Sequence, residues 1–237
     1  MSVMQWPSPN LLLASLPGEA LQRLSPNIER VHMTSGQSLC EPGVQMREVY
    51  FPESSVVAMS YAMEDGSSAE VALVGPEGVV GVRLLLGATA LTVHATVQSA
   101  GWGVKLPARH VLEEFRRGEA LMQVLLQYTE SYIGQIVQTS ACNRHGSLEQ
   151  RLCRWLLLSL DRMPTNELTM THELIANALG AKREGVTETL GQLRREGAIR
   201  YGRGHIEVLD SSILARRACD CYRIDRHGPC LQEIRSA

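Results

Sequence analysis

Residues 171–208 read THELIANALGAKREGVTETLGQLRREGAIRYGRGHIEV, and their spacing decides the fold of the C-terminal half. Thr171 offers a side-chain oxygen to cap a short helix in which Leu174, Ile175, Ala178 and Leu179 share an apolar face. Ala176 is small where a second helix has to cross closely, and Gly180 supplies the sharp turn. In the second helix Val186, Leu190 and Leu193 recur at i, i+4 and i+7 and face a core. Glu184, Glu188 and Arg195 point away from it, flanked by Arg183, Thr187 and Arg194. Residues 198–208 then alternate on either side of Gly202-Arg203-Gly204, which reads as two strands around a tight turn. The pattern is a winged helix-turn-helix.

The chemistry of the outer stripe points to a nucleic-acid partner. An α-helix fits the major groove of DNA, where its first residues reach base edges while flanking cations neutralise phosphates. Lys182, Arg183, Arg194, Arg195, Arg200 and Arg203 outnumber Glu184, Glu188 and Glu196 by +3. The expected DNA-binding set is Lys182, Arg183, Glu184, Thr187, Glu188, Arg194 and Arg203. A helical hairpin serving protein contacts is the competing reading, and the positive charge on both helix and wing opposes it. The formal charge of −2 hides the same asymmetry, since residues 1–140 sum to −5 and residues 141–237 to +3.

Upstream the grammar changes. Between residues 31 and 105, Val57, Met59, Tyr61 and Met63 alternate with Ala58, Ser60 and Ala62. Glu64-Asp65-Gly66-Ser67 then turns the chain before Val71 to Val74, which predicts a hairpin. Glycine and proline at Ser35-Gly36, Pro42-Gly43, Gly75-Pro76, Gly87 and Gly101 divide the stretch into the short pieces of an all-β sandwich or barrel. From Pro107 a helical face of Val111, Leu112 and Phe115 runs to Gly118. A longer helix follows from Glu119 to about Ala141. Its Leu121, Leu125, Tyr128, Tyr132 and Gln135, spaced 4-3-4-3, form a seam able to pair with a second copy, or else to pack on the chain's own barrel. Asn143-Arg144-His145-Gly146 reads as a hinge. Ser147 with Gln150 is a capping box, opening a helix with Leu148, Leu152, Trp155, Leu156 and Ser159 on one face and ending before Met163-Pro164.

The expected organisation is therefore α+β, in three parts. Residues 1–117 form an N-terminal antiparallel β-barrel of jelly-roll type, 118–142 a long dimerisation helix with Leu121, Leu125, Tyr128 and Tyr132 at the interface, and 143–237 a winged helix-turn-helix. A chain of 237 residues, 44% hydrophobic and 20% charged with 10 prolines, has enough apolar surface to fold. No apolar run approaches the roughly 18 to 20 residues of a bilayer span, and the N-terminal stretch lacks a signal-peptide pattern. A cytoplasmic location is expected. The six cysteines lack C-x-x-C pairs; Cys219, Cys221, His227 and Cys230 cluster, but Cys219-x-Cys221 is too tight for usual zinc spacing, so packed thiols are expected and no metal.

A β-barrel, a long connecting helix and a winged helix containing Gly180-Ala181-Lys182-Arg183-Glu184-Gly185-Val186 together resemble the Crp/Fnr superfamily of bacterial transcription regulators over residues 20–215. The resemblance implies a cyclic-nucleotide-binding-like barrel and a homodimer that reads a double-stranded, inverted-repeat operator, with RNA polymerase a further partner. It implies that Arg183 contacts a guanine and Glu184 a cytosine amino group, in keeping with the groove's donor and acceptor pattern. The cyclic-AMP-responsive members carry an arginine where this chain has Glu188.

The barrel departs from that pattern. Cyclic-nucleotide-binding relatives place Gly-Glu on the ribose and, about ten residues later, Arg-Ser on the phosphate; here Gly81-Val82 and Leu91-Thr92 stand in those places. A buried phosphate without a cationic partner is costly to desolvate, so a cyclic nucleotide is not expected. Gly81, Val82, Arg83, Leu91 and Thr92 remain the candidate effector pocket. No cofactor is expected: Cys40 is the only cysteine before residue 142, against the cysteine cluster of iron-sulfur relatives, and His32, Cys40 and His94 show no haem-ligand spacing. A cupin-like metalloenzyme is the alternative from another class. It needs a His-x-His pair that His32, His94 and His110 do not supply, and no Ser-His-Asp grouping or phosphate-cradling G-x-x-x-x-G-K loop occurs, so no catalytic residue is assigned.

Overall fold

The computed structural model describes residues 8–64, 68–90, 92–202 and 204–222. The chain enters through two short helices, α1 (Leu11–Ala14) and α2 (Gly18–Leu24), which the β-periodicity of the sequence did not disclose. Strands β1 (Glu29–Met33), β2 (Ser38–Cys40), β3 (Glu48–Pro52), β4 (Val56–Ala62) and β5 (Ser68–Val74) follow. A single helical turn, α3 (Val82–Leu85), then leads to β6 (His94–Ser99) and β7 (Gly101–Pro107). The expected hairpin is β4 with β5, antiparallel from Val57 opposite Val74 to Ala62 opposite Ser68. Its turn residues Asp65, Gly66 and Ser67 lie outside the described residues.

The seven strands do not close into a barrel. They form two sheets, β1-β7-β3 and β2-β6-β4-β5, which bury a shared core that includes Met33, Phe51, Met59, Val97, Val104 and Leu106. The register between β4 and β5 shifts where Met59 faces Ala72 and Ser60 faces Glu70, which leaves Val71 of β5 as the extra residue of a β-bulge.

Helix α4 (Ala108–Arg116) leads into α5 (Ala120–His145), a helix of 26 residues that spans about 39 Å. Helix α5 runs past the expected end near residue 142. Asn143, Arg144 and His145 contain no helix breaker, and Arg144 and His145 suit the electronegative C-terminal turn. The break falls at Gly146, whose N–H donates to the Cys142 carbonyl at 2.8 Å. Leu121, Leu125 and Tyr128 are buried against the sheets of their own chain and Tyr132 packs at the margin, with the Tyr128 hydroxyl 3.4 Å from the Val79 carbonyl. The expected dimer seam is thus an intramolecular seam. The apolar side chains that α5 exposes are Leu126, Ile133 and Val137, at 46%, 55% and 60%.

Helix α6 (Leu148–Leu160) opens on the expected capping box: Gln150 N donates to Ser147 Oγ at 3.2 Å and Ser147 N to Gln150 Oε1 at 2.9 Å. One apolar face was anticipated, but Leu152 through Ser159 are all buried. The helix is sandwiched between Val56 and Leu73 of the four-stranded sheet and the C-terminal core. Strand β8 (Glu167–Thr169), α7 (His172–Leu179), α8 (Arg183–Arg195), β9 (Ile199–Gly202), β10 (His205–Val208) and α9 (Ser211–Arg217) complete the described chain. The two-stranded wing gains β8 as a third strand, in the order β8-β10-β9.

Candidate nucleic-acid interface

Helix α7 starts where Thr171 Oγ1 accepts the Leu174 N–H at 3.2 Å, and ends at Gly180, whose φ of 57° is the left-handed turn that a side chain resists. Ile175, Ala176 and Leu179 are buried. Leu174, expected on the same face, is 51% exposed instead, because the helix is short and its inner surface is filled by the other three. Helix α8 crosses behind it on Val186, Leu190 and Leu193, each 0% exposed. Full burial of three such side chains stabilises by about 1.5 to 3 kcal/mol each and fixes which way the opposite stripe points. Close approach to α6 explains Gly185, where a Cβ would lie 2.9 Å from Leu148 Cδ2.

The opposite stripe is open. Lys182 is the N-cap residue of α8, and Lys182, Arg183, Glu184, Thr187 and Glu188 line its outer side. Lys182, Arg183, Glu184 and Glu188 make no ion pair or side-chain hydrogen bond within the described residues. Two cations and two carboxylates, none of them ion-paired within the described residues, are therefore presented on the first two turns of the helix, open to phosphates and base edges. Thr187 is oriented by its own helix: its Oγ1 donates to the Arg183 carbonyl at 3.0 Å and lies 2.9 Å from His172 Nδ1. Arg194 lies with its guanidinium 5.5 Å from the Tyr201 ring, and His172 meets that ring edge-on at 5.3 Å, which joins α7, α8 and the wing. Arg200 is paired with Glu207 at 2.7 Å across β9 and β10. Arg203 lies outside the described residues.

Behind this surface Arg217 of α9 binds Glu149 of α6 and, at 2.8 Å, Glu196 at the end of α8. Neither this clamp nor the His172–Tyr201–Arg194 stack was anticipated from sequence; periodicity finds faces, and these contacts join residues far apart in the chain.

Of the candidate effector residues, Arg83 at the start of α3 and Thr92 are brought together. Gly81 is the N-cap of α3, Val82 is 5% exposed and apolar, and Arg83 donates to Thr92 Oγ1 at 2.6 Å. Burial pushes the Tyr132 hydroxyl up to about 12 and the Arg83 charge pulls the other way, so this loop lies electrically against α5. Leu91 lies outside the described residues. His32 stacks edge-on to Trp102 at 5.2 Å and His110 contacts Glu113 at 3.3 Å. Among the described residues no three His, Cys, Asp or Glu side chains converge as a metal site; His227 and Cys230 lie outside them.

Family comparisons agree with this geometry in both halves. Residues 30–118 match the model of the cyclic nucleotide-binding domain, and residues 150–217 that of the Crp-like helix-turn-helix domain. The chain belongs to the Crp/Fnr family. This Crp/Fnr protein is 27% identical over 192 residues to the global nitrogen regulator of Synechococcus elongatus, covering 77% of its own length and 86% of the relative's. It is 28% identical over 191 residues to the transcriptional regulator SdrP of Thermus thermophilus, covering 77% and 90%. The crystal structure of a CRP/FNR-family transcriptional regulator from Thermus thermophilus superposes with a TM-score of 0.64 at 27% identity, over 80% of this chain and 98% of that one. The Crp/Fnr chain is accordingly a DNA-binding transcription regulator with a Crp-like helix-turn-helix domain. No helix among its described residues is long and apolar enough to cross a membrane.

Proposed function

We propose that this regulator works as a homodimer in the cytoplasm, inserts one α8 from each subunit into successive major grooves, and recognises an inverted repeat with half-sites about 34 to 36 Å apart. The observation that carries the reading is the exposed row of Lys182, Arg183, Glu184 and Glu188, without ion pairs among the described residues, on a helix anchored by three fully buried side chains. Arg183 is assigned to a guanine, Glu184 to a cytosine amino group, Lys182, Arg194 and Arg203 to phosphates, and Thr187 and Glu188 to the groove wall. The two-fold axis is assigned to the exposed α5 face of Leu126, Ile133 and Val137, which recur at intervals of seven and four. Bound at a promoter, the dimer stands within reach of RNA polymerase.

The loop of Gly81, Val82, Arg83, Leu91 and Thr92 is assigned to an effector other than a cyclic nucleotide. Apolar Val82 replaces the ribose-binding carboxylate, and the Arg83 guanidinium is engaged with Thr92. No catalytic role is proposed for any residue.

Selection of bound duplexes from a random pool tests the reading. Enrichment of a two-fold-symmetric sequence is the expected result. A pool that stays random, or an enriched site lacking symmetry, would overturn it.

A further inference from the structure

Cys142 and Cys219 lie 77 residues apart in sequence and 3.0 Å apart between their Sγ atoms. Cys142 is buried in the last turn of α5, one turn before the break at Gly146. Cys219 is half-buried, two residues beyond α9, and Cys221 lies beside it with a thiol contact of its own. The chain between the two sulfurs includes the whole winged-helix unit, α6 through α9. A bond between them would tie the far end of that unit back to the helix it hangs from, across the break at Gly146 and Ser147.

The geometry points to a reversible oxidation site: Cys142 and Cys219 join as a disulfide on reaction with a peroxide and so clamp the winged helix against α5, altering its affinity for DNA. In the first step the Cys219 sulfur attacks hydrogen peroxide, the O–O bond breaks, and a sulfenic acid and one water result. The Cys142 thiol then displaces the sulfenic oxygen as a second water and the S–S bond forms, so that two thiols and one peroxide give one disulfide and two waters. The sulfurs need approach by only about 1 Å to reach bonding distance. The half-buried partner is the one a small oxidant meets first, and the buried one is held in place to resolve it. Burial and the Cys142 contact push the Cys219 thiol up, which limits its thiolate and makes the pair a slow responder and not a peroxide scavenger.

The test uses the full chain, treated with hydrogen peroxide, alkylated and mapped by mass spectrometry without reduction. The expected product is a chain not cross-linked to a second copy, with a peptide linking its own Cys142 to its own Cys219, reopened by dithiothreitol. Cys142→Ser and Cys219→Ser abolish the link, and Cys221→Ser retains it. On a duplex selected from a random pool by the reduced protein, oxidation is expected to change affinity by about fivefold or more, reversibly, and to leave Cys219→Ser unaffected. Peroxide-treated protein in which both thiols still alkylate overturns the proposal, as does a Cys142–Cys219 link with unchanged affinity. The peptide map needs no DNA, so a failure of the operator reading would be seen separately.

Discussion

Side chains on α8 differ in what they are expected to contribute, and single substitutions separate them. Arg183 presents a bidentate donor at the first residue of the helix with no partner within the described chain. Arg183→Ala is therefore expected to cost about 1 to 3 kcal/mol on the selected operator and to relax preference at one base pair, measured by gel-shift titration against single-base variants. Arg203, between Gly202 and Gly204 in the sequence, is the residue proposed above to meet a phosphate. Arg203→Ala is expected to weaken binding to all duplexes alike and to reduce the salt slope by about one. Equal loss of base preference in both variants would place the reading head elsewhere. The two stripes of α8 are legible in the sequence because they obey one period: burying Val186, Leu190 and Leu193 turns Glu184 and Glu188 outward and leaves Arg183 on the flank, exposed at the first turn. Leu174 was misplaced for the opposite reason, since α7 is only 8 residues long and gives periodicity too little length to average over.

At the scale of an element, α5 shows where a pattern read correctly is given the wrong partner. Leu121, Leu125, Tyr128 and Tyr132 do form a seam, but the surface that meets it is the chain's own sheet pair, and one sequence cannot say which surface fills a seam. The face left over, Leu126, Ile133 and Val137, is interrupted by Glu130 and Gln127, which hid it from inspection. The two faces respond differently to one substitution. Ile133→Asp, at 55% exposure, is expected to give folded monomers by sedimentation with an unchanged urea midpoint per chain. Leu125→Asp, at 1% exposure, buries an unpaired carboxyl and is expected to lose several kcal/mol of stability. A dimer that survives Ile133→Asp would move the axis off this helix. The capping box at Ser147 was legible because its spacing is local, whereas α1, α2 and the three-residue β8 carry too few residues to announce themselves.

At the scale of the whole molecule, the sheet pair and the winged helix are joined by buried polar contacts that no local pattern encodes. Arg162 pairs with Glu77 at 2.6 Å, Gln98 Nε2 donates to Ser159 Oγ at 3.1 Å, and Trp155 Nε1 donates to Glu70 Oε1 at 2.9 Å. Glu70 is the sensitive member. Burial raises its carboxyl from 4.5 to about 8, against the opposing pull of the Trp155 hydrogen bond and of the Arg162 and Arg154 charges, so it crosses neutral pH mostly protonated. The folded chain then holds a proton that the unfolded chain has released, and stability falls as pH rises between those two values. Glu70→Gln keeps a neutral acceptor for Trp155 and removes the slope. The variant is expected to match the wild type near the lower end of the window and to exceed it by up to about 3 kcal/mol at pH 7, measured by urea unfolding. Because Glu70 belongs to β5 and Trp155 to α6, ionisation loosens the contact between the two halves before it loosens either alone. Hydrogen exchange is therefore expected to quicken first in α6 as pH climbs past the upper value, and parallel slopes in both proteins would show that the carboxyl is solvated after all.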